Sequence, residues 1–239
     1  MKIKAFDEYN AGGHLIYSLN YVGAYVRGKT KQQALDKFRS EILQYARWRG
    51  IEVDNSSYSV EIAEEKASKL QVRDADSDAL FSTEIPPISR YDYNFLKALA
   101  LKSAEDFLKL YNSIPDKKGT ALAPRETFYG ARPLTAEEMY EHTKNVNSYY
   151  FGEIGVSAQN KPDIYTCRSA GFEALEKTPN FLENKTFEGS GGELWTLRKL
   201  CRRFIWHDRI HAKAMYKMTV KLFGGDKISN PFYFELDKK

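Results

Sequence analysis

A chain of 239 residues can hold one large domain or two of ordinary size, and 42% apolar with 28% charged residues is the balance of a globular protein. The formal charge of +4, from 36 basic and 32 acidic residues spread along the chain, calls for neither nucleic acid nor an anionic membrane; a solvated basic surface is the expectation. No apolar run has the length of a membrane span, the start MKIKAFDEYN has no signal-peptide core, and Cys167 and Cys201 form neither a metal-type spacing nor a disulfide framework, so a soluble, reduced, cytoplasmic protein is expected.

Residues 2–6, 14–22 and 24–27 read as strands, rich in β-branched and aromatic residues. Thr30 opens a helix, with Gln33 at the capping-box position, that carries Ala34, Leu35, Phe38, Ile42, Tyr45 and Ala46 at helical spacing to about Trp48, and Gly50 ends it. Residues 58–63 alternate as a further strand. Together these predict a small α+β unit over residues 1–66, one helix on a short antiparallel sheet. The run GAYVRGKTKQQALDKFRSEILQYARWRG resembles the HicB-like domain, in which a strand leads through a glycine into a Thr-capped helix. DNA binding in that family resides in an additional C-terminal module, which this sequence does not display, so the resemblance implies the fold alone. His14, in or before the second strand, reads as an ordinary strand histidine.

From Ala67 to Pro87 the composition turns polar and acidic and ends in Pro-Pro, which predicts a linker and a domain boundary. Ser89 or Asp92 caps a helix to about Tyr111, with Phe95, Leu96, Leu99, Phe107 and Leu110 inward. Asn112 to Pro133 is a long loop whose Arg125, Tyr129 and Arg132 are either pocket-lining or simply exposed. Thr135, with Glu138 three residues on, opens the next helix, whose inward stripe is Met139, His142, Val146, Tyr149 and Tyr150. A fourth segment from Lys161-Pro162-Asp163 to about Leu175 carries Ile164, Cys167, Ala170, Gly171 and Ala174, a small-residue face suited to close packing. After a second loop, Thr178 to Gly192, the stretch from Glu193 to Phe223 contains neither Pro nor Gly and lies between glycine pairs, the punctuation of one long helix. Its apolar stripe holds Leu197, Leu200, Phe204, Met215, Met218 and Leu222. Lys199 and Lys217 flank it, and Arg202, Arg209 and Lys213 fall on the far side, expected to face solvent. The prediction is a four-helix bundle over residues 88–225 and a tail over 226–239.

His207 and His211 sit one turn apart in the middle of that stripe, and His142 lies on the inward stripe of another helix. Three of the chain's four histidines therefore point inward from bundle helices, and no cysteine cluster competes with them. An i,i+4 imidazole pair completed by a third from a facing helix is a donor set for Zn, Ni or Fe that leaves positions open for water or substrate. Hydrogen-bonded core histidines are the alternative. Asp208 and Glu138 are candidates to hold an imidazole N–H, with an ion pair or a helix cap as their plainer roles. Cys201 reads as packing, and Tyr149, Tyr150 and Tyr216 as core aromatics that could also donate a hydrogen bond near a metal.

The segments LTAEEMYEHTKNVNSYYFGEIG and LWTLRKLCRRFIWHDRIHAKAMY resemble the two signature stretches of the DinB-like family, part of the superfamily of thiol-dependent S-transferases and maleylpyruvate isomerases. The resemblance covers about residues 88–225. It implies a four-helix bundle in which His142, His207 and His211 bind a divalent metal ion. It further implies a metal-dependent transferase or hydrolase acting on a small-molecule substrate, such as a low-molecular-weight thiol, and a homodimer. No catalytic side chain is singled out. A non-catalytic metal- or ligand-binding regulatory module is the competing function. Nucleic-acid binding through Arg198, Arg202, Arg209 and Lys213 is a third, disfavoured because no groove-reading motif accompanies the charges.

Overall fold

The structure is a computed structural model that describes residues 1–54, 57–127 and 129–236. Positions 55 and 56 of the expected N-terminal domain, 128 of the first long loop and 237–239 of the expected tail lie outside the described residues. The chain is α+β. Strands β1 (Lys2–Asn10), β2 (Gly13–Ser18) and β3 (Tyr25–Gly28) form a meander, α1 (Lys31–Arg49) follows, and β4 (Ser59–Ala67) returns to the sheet in the order β3-β2-β1-β4. Here the expected antiparallel sheet needs correcting: β4 pairs with β1 in parallel, so the sheet is mixed. The cause lies in the connection. Helix α1 packs on the sheet and carries the chain back to the end where β3 began, so β4 enters in the same direction as β1. The two ends of α1 are set by local chemistry: the Thr30 side chain accepts from the Gln33 amide, and Gly50 adopts the left-handed conformation at φ 62°.

Four further helices follow: α2 (Arg90–Ser113), α3 (Ala136–Gly152), α4 (Ile164–Glu176) and α5 (Leu197–Phe223). Each begins at a side chain that accepts from the first turn: Ser89, Thr135, Asp163 and Thr196 respectively. At Thr135 the capping box is complete, since Glu138 returns a bond to the Thr135 amide at 3.0 Å. The long helix thus starts four residues later than the sequence suggests. Leu194–Trp195 instead pairs as a short strand with Phe187–Glu188 (β8 and β7), and a second small hairpin, Glu126–Thr127 with Gly130–Ala131 (β5 and β6), occupies the first long loop. Helices α2 and α3 both pack on α5 and on α4. The small-residue face of α4 packs closely at Gly171, where a Cβ would lie only 2.1 Å from the Phe151 ring of α3, whereas Ala170 is exposed.

Helix α5 is the shared element. From Lys199 to Arg209 every residue is buried except Arg203, which is partly exposed. The expected solvent-facing side of this helix needs correcting at Arg202 and Arg209, which the N-terminal unit, the segment after it and the C-terminal residues cover, whereas Lys213 stays partly exposed. Arg202 pairs with Glu84 at 2.5 Å over the ring of Phe81, and Arg209 pairs with Glu41 of α1 at 2.5 Å among the rings of Tyr45, Trp48, Phe232 and Phe234. Gly23, at φ 86°, lets the β2–β3 turn approach so closely that a Cβ there would lie 2.5 Å from Ile205 Cγ2. One sheet face (Phe6, Leu15, Tyr17) closes over Trp206 together with Val72, Ala79 and Phe81 from the segment expected as a linker. The opposite face (Ile3, Ala5, Ile16) joins α1 and the helices in one continuous apolar core, to which Ile228, Phe232 and Phe234 of the expected tail also belong. No helix among the described residues is long and apolar enough to cross a membrane.

Candidate metal centre

His207 and His211 stand on successive turns of α5, and His142 stands in the second turn of α3 opposite them. Ring centroids are 4.5 Å apart for His207–His211, 4.6 Å for His142–His211 and 5.2 Å for His142–His207. One nitrogen from each ring lies within 4.8 Å of the other two, a cluster that can hold a metal ion. A first-row divalent ion with bonds of about 2.1 Å needs its nitrogens roughly 3.0–3.4 Å apart, a spacing that lies within this limit.

Two observations fit a metal rather than a core held by its own hydrogen bonds. Nδ1 of His207, a residue only 9% exposed, makes no hydrogen bond. A buried ring nitrogen without a partner is costly unless something else occupies its lone pair. All three imidazoles also have lowered pKa values. Burial is the main cause for each; His207 is pushed further down by the charges of His211 and His142, then Arg203 and Arg168, and His211 by His142 and Arg27. Neutral imidazoles are the form a metal binds. Aromatic rings restrain two of them: Tyr129 stacks on His142 at 5.0 Å and Tyr150 meets His207 edge-on at 6.0 Å.

The supporting carboxylates have the plainer of their two expected roles. Asp208 faces away from the imidazoles and is chelated by the buried Arg168 guanidinium at 2.5 and 3.0 Å. Glu138 is spent on the α3 cap. Cys201 is fully buried and its thiol is pushed up to about 12 by burial, which fits packing. His14 is engaged elsewhere, with Nδ1 on both oxygens of Asp7 at 3.0 Å.

The cluster opens into a cavity of about 740 Å³. Arg125, Tyr129 and Arg132 from the first long loop line it, as do Ser190 to Glu193 from the second. Several residues on its wall carry no mark in the sequence reading. Arg27 of β3 brings the N-terminal unit to the site, and Asp74 to Asp78 bring the segment after it. An ion pair of 2.8 Å between Arg125 and Asp74 ties the two walls together. Arg203 lies one turn before His207, so the 203–207–211 spacing was a usable signal. Its guanidinium sits among the rings of Tyr150, Trp195 and Trp206 and donates to the Ser77 carbonyl at 2.7 Å. The contributions from Arg27 and residues 74–78 had no such signal, because they depend on how the sheet docks against α5.

In comparisons with known proteins, no family model, no curated protein and no solved structure matches this chain.

Proposed function

We propose that this is a divalent-metal-binding protein of the DinB-like kind, with α2 to α5 as that family's four-helix bundle, residues 1–66 as a HicB-like domain, and His142, His207 and His211 as ligands for Zn, Ni or Fe. Its activity is that of a metal-dependent enzyme, transferring a thiol to an electrophile or hydrolysing a small substrate. The observation that carries this reading is the convergence of three neutral imidazoles, one with an unpartnered buried nitrogen, on a cavity large enough for a small molecule.

A divalent ion on three uncharged ligands keeps its whole charge and would lower the pKa of a bound water or thiol towards neutrality. The chain's own part is arrangement. Helix α5 fixes the spacing of two ligands, the Thr135–Glu138 cap sets the start of the helix that brings the third, and Tyr129 and Tyr150 limit ring rotation. The apolar part of the cavity wall (Met139, Val146, Trp206, Met218) excludes water from one side of the bound substrate.

The test is elemental analysis of protein purified without a histidine tag, together with turnover of glutathione-like thiols on an aromatic electrophile and of simple esters. Close to one divalent ion per chain, lost in His142→Ala, and turnover abolished by chelation are the expected results. A metal-free protein whose His142→Ala variant binds added metal as well as the wild type refutes the site. Metal retained with no turnover across a broad panel refutes the enzyme and leaves a binding module.

A further inference from the structure

The three-histidine cavity does not end at its own walls. Arg27, Arg125, Arg132 and Lys217 line both this cavity and a larger groove of about 1470 Å³, so the two adjoin. The groove runs between α1, the β3 end of the sheet and the C-terminal half of α5. Eight cationic and four acidic side chains line it. That surplus of four equals the formal surplus of the whole chain, so the excess positive charge is concentrated here rather than spread.

The acids offset only part of the groove's charge, and each is already engaged. Asp74 pairs with Arg125, itself a groove cation, at 2.8 Å, and Glu41 pairs with the buried Arg209 at 2.5 Å and with Lys213 of the groove at 3.6 Å. Glu235 pairs with Arg47, which lies outside the groove, and Asp36 accepts from the Gln32 amide at 2.7 Å. Several cations have no such partner. Lys29 and Arg73 are exposed and form no ion pair among the described residues. Arg27 spends one N–H on the Arg73 carbonyl at 3.1 Å, Arg132 spends one on the Ala123 carbonyl at 2.8 Å, and Nε of Arg132 is buried without a partner. Guanidinium groups held by backbone carbonyls keep their charge and the rest of their donors for carboxylate or phosphoryl oxygens.

We propose that this groove binds a small polyanion, a molecule carrying two or more carboxylate or phosphoryl groups, with Lys29 and Arg73 gripping its far end and Arg27 and Arg132 placing its near end at the three-histidine cavity. The anion-binding half stands on the groove alone; delivery to a reacting centre rests on the metal-enzyme reading above.

The experiment is calorimetric titration of the full chain, both as purified and after dialysis against chelator, with tricarballylate and with tripolyphosphate. Tricarballylamide serves as the uncharged analogue. Binding of at least one polyanion to the chelator-treated protein, none of the triamide, and weakening as salt rises are expected. Lys29→Gln with Arg73→Gln, and separately Arg27→Gln with Arg132→Gln, should each lower affinity about tenfold or more, whereas Lys185→Gln, on an exposed side chain elsewhere, changes nothing. Preference between the two probes tells a carboxylate source from a phosphoryl one. Equal binding of the triamide, unchanged affinity in both paired variants, or no binding of either polyanion at low salt overturns the proposal, even if the metal is present. Tighter binding of a single-stranded oligonucleotide than of either probe overturns it in favour of nucleic acid. Because the chelator-treated protein is titrated, loss of the metal reading alone leaves these results readable.

Discussion

Two stripes run along α5 and the fold treats them in opposite ways. On one, Arg202 and Arg209 are buried, ion-paired to Glu84 and Glu41, and packed on the rings of Phe81 and Trp48. On the other, His207 and His211 face a cavity, with a buried nitrogen of His207 left without a partner. The charges of these arginines are met by the protein's own carboxylates, although Nη1 of Arg202 and both Nε and Nη1 of Arg209 have no hydrogen-bond partner. An imidazole nitrogen without a partner at the wall of a cavity is open to a ligand from outside, which the arginines, enclosed among aromatic rings, are not. Charge alone would have suggested the reverse, with arginines outside and available and histidines inside and inert.

The sharpest way to break this contrast is to attack the arginine stripe first. Glu41→Ala strands the Arg209 guanidinium in a buried site and should cost about 3–5 kcal/mol of stability, read from the urea midpoint, while the metal content of the folded fraction stays at the wild-type level. If the variant keeps its stability but loses metal, the two stripes have been assigned the wrong way round. His207→Ala tests the other side: metal affinity should fall by about 100-fold or more, with the unfolding free energy of the metal-free protein moving by less than about 1 kcal/mol.

Proton linkage gives a smaller signal confined to the histidine stripe. His207 and His211 have folded-state pKa values well below 6.5, so under mildly acidic conditions the unfolded chain binds protons that the folded chain does not. Stability of the metal-free protein should therefore fall as pH drops below about 6.5, by about 1.4 kcal/mol per pH unit for each histidine that stays neutral. A double His207→Ala, His211→Ala variant should show a flatter curve between pH 6.5 and 5; an unchanged slope would place the titration elsewhere. The smallest expected effect is at the α3 cap. Thr135→Ala should cost about 1 kcal/mol in thermal unfolding and leave metal stoichiometry intact, because His142 sits beyond the first turn.

How much of this was legible in the sequence follows from the range of the interactions. Helix starts were readable because they are local: Thr30, Ser89 and Thr135 cap where their own neighbours predict. The three histidines were readable as inward because helical periodicity is also local, and the structure brings their rings together. The burial of Arg202 and Arg209 was not, since a helical wheel knows only one helix and assigns its charged side to water. Whether a second layer covers that side depends on Glu84 and Glu41, more than a hundred residues away. The parallel pairing of β4 was missed for a related reason: strand direction is set by the path of α1 over the sheet, which no strand's own residues encode. The cavity contribution of Arg27 likewise needs the docked sheet.

The same covering of α5 sets an order of events during synthesis. Phe6 and Tyr17 leave the ribosome early, yet Trp206, the ring they close over, is made almost two hundred residues later. Until then the aromatic face of the sheet has only Val72, Ala79 and Phe81 to lie against, and Glu41 waits for Arg209 in the same interval. Pairings this distant along the chain form slowly and leave apolar surface open to other molecules meanwhile. A nascent chain halted before α5 is therefore the form of this protein with most to gain from a chaperone.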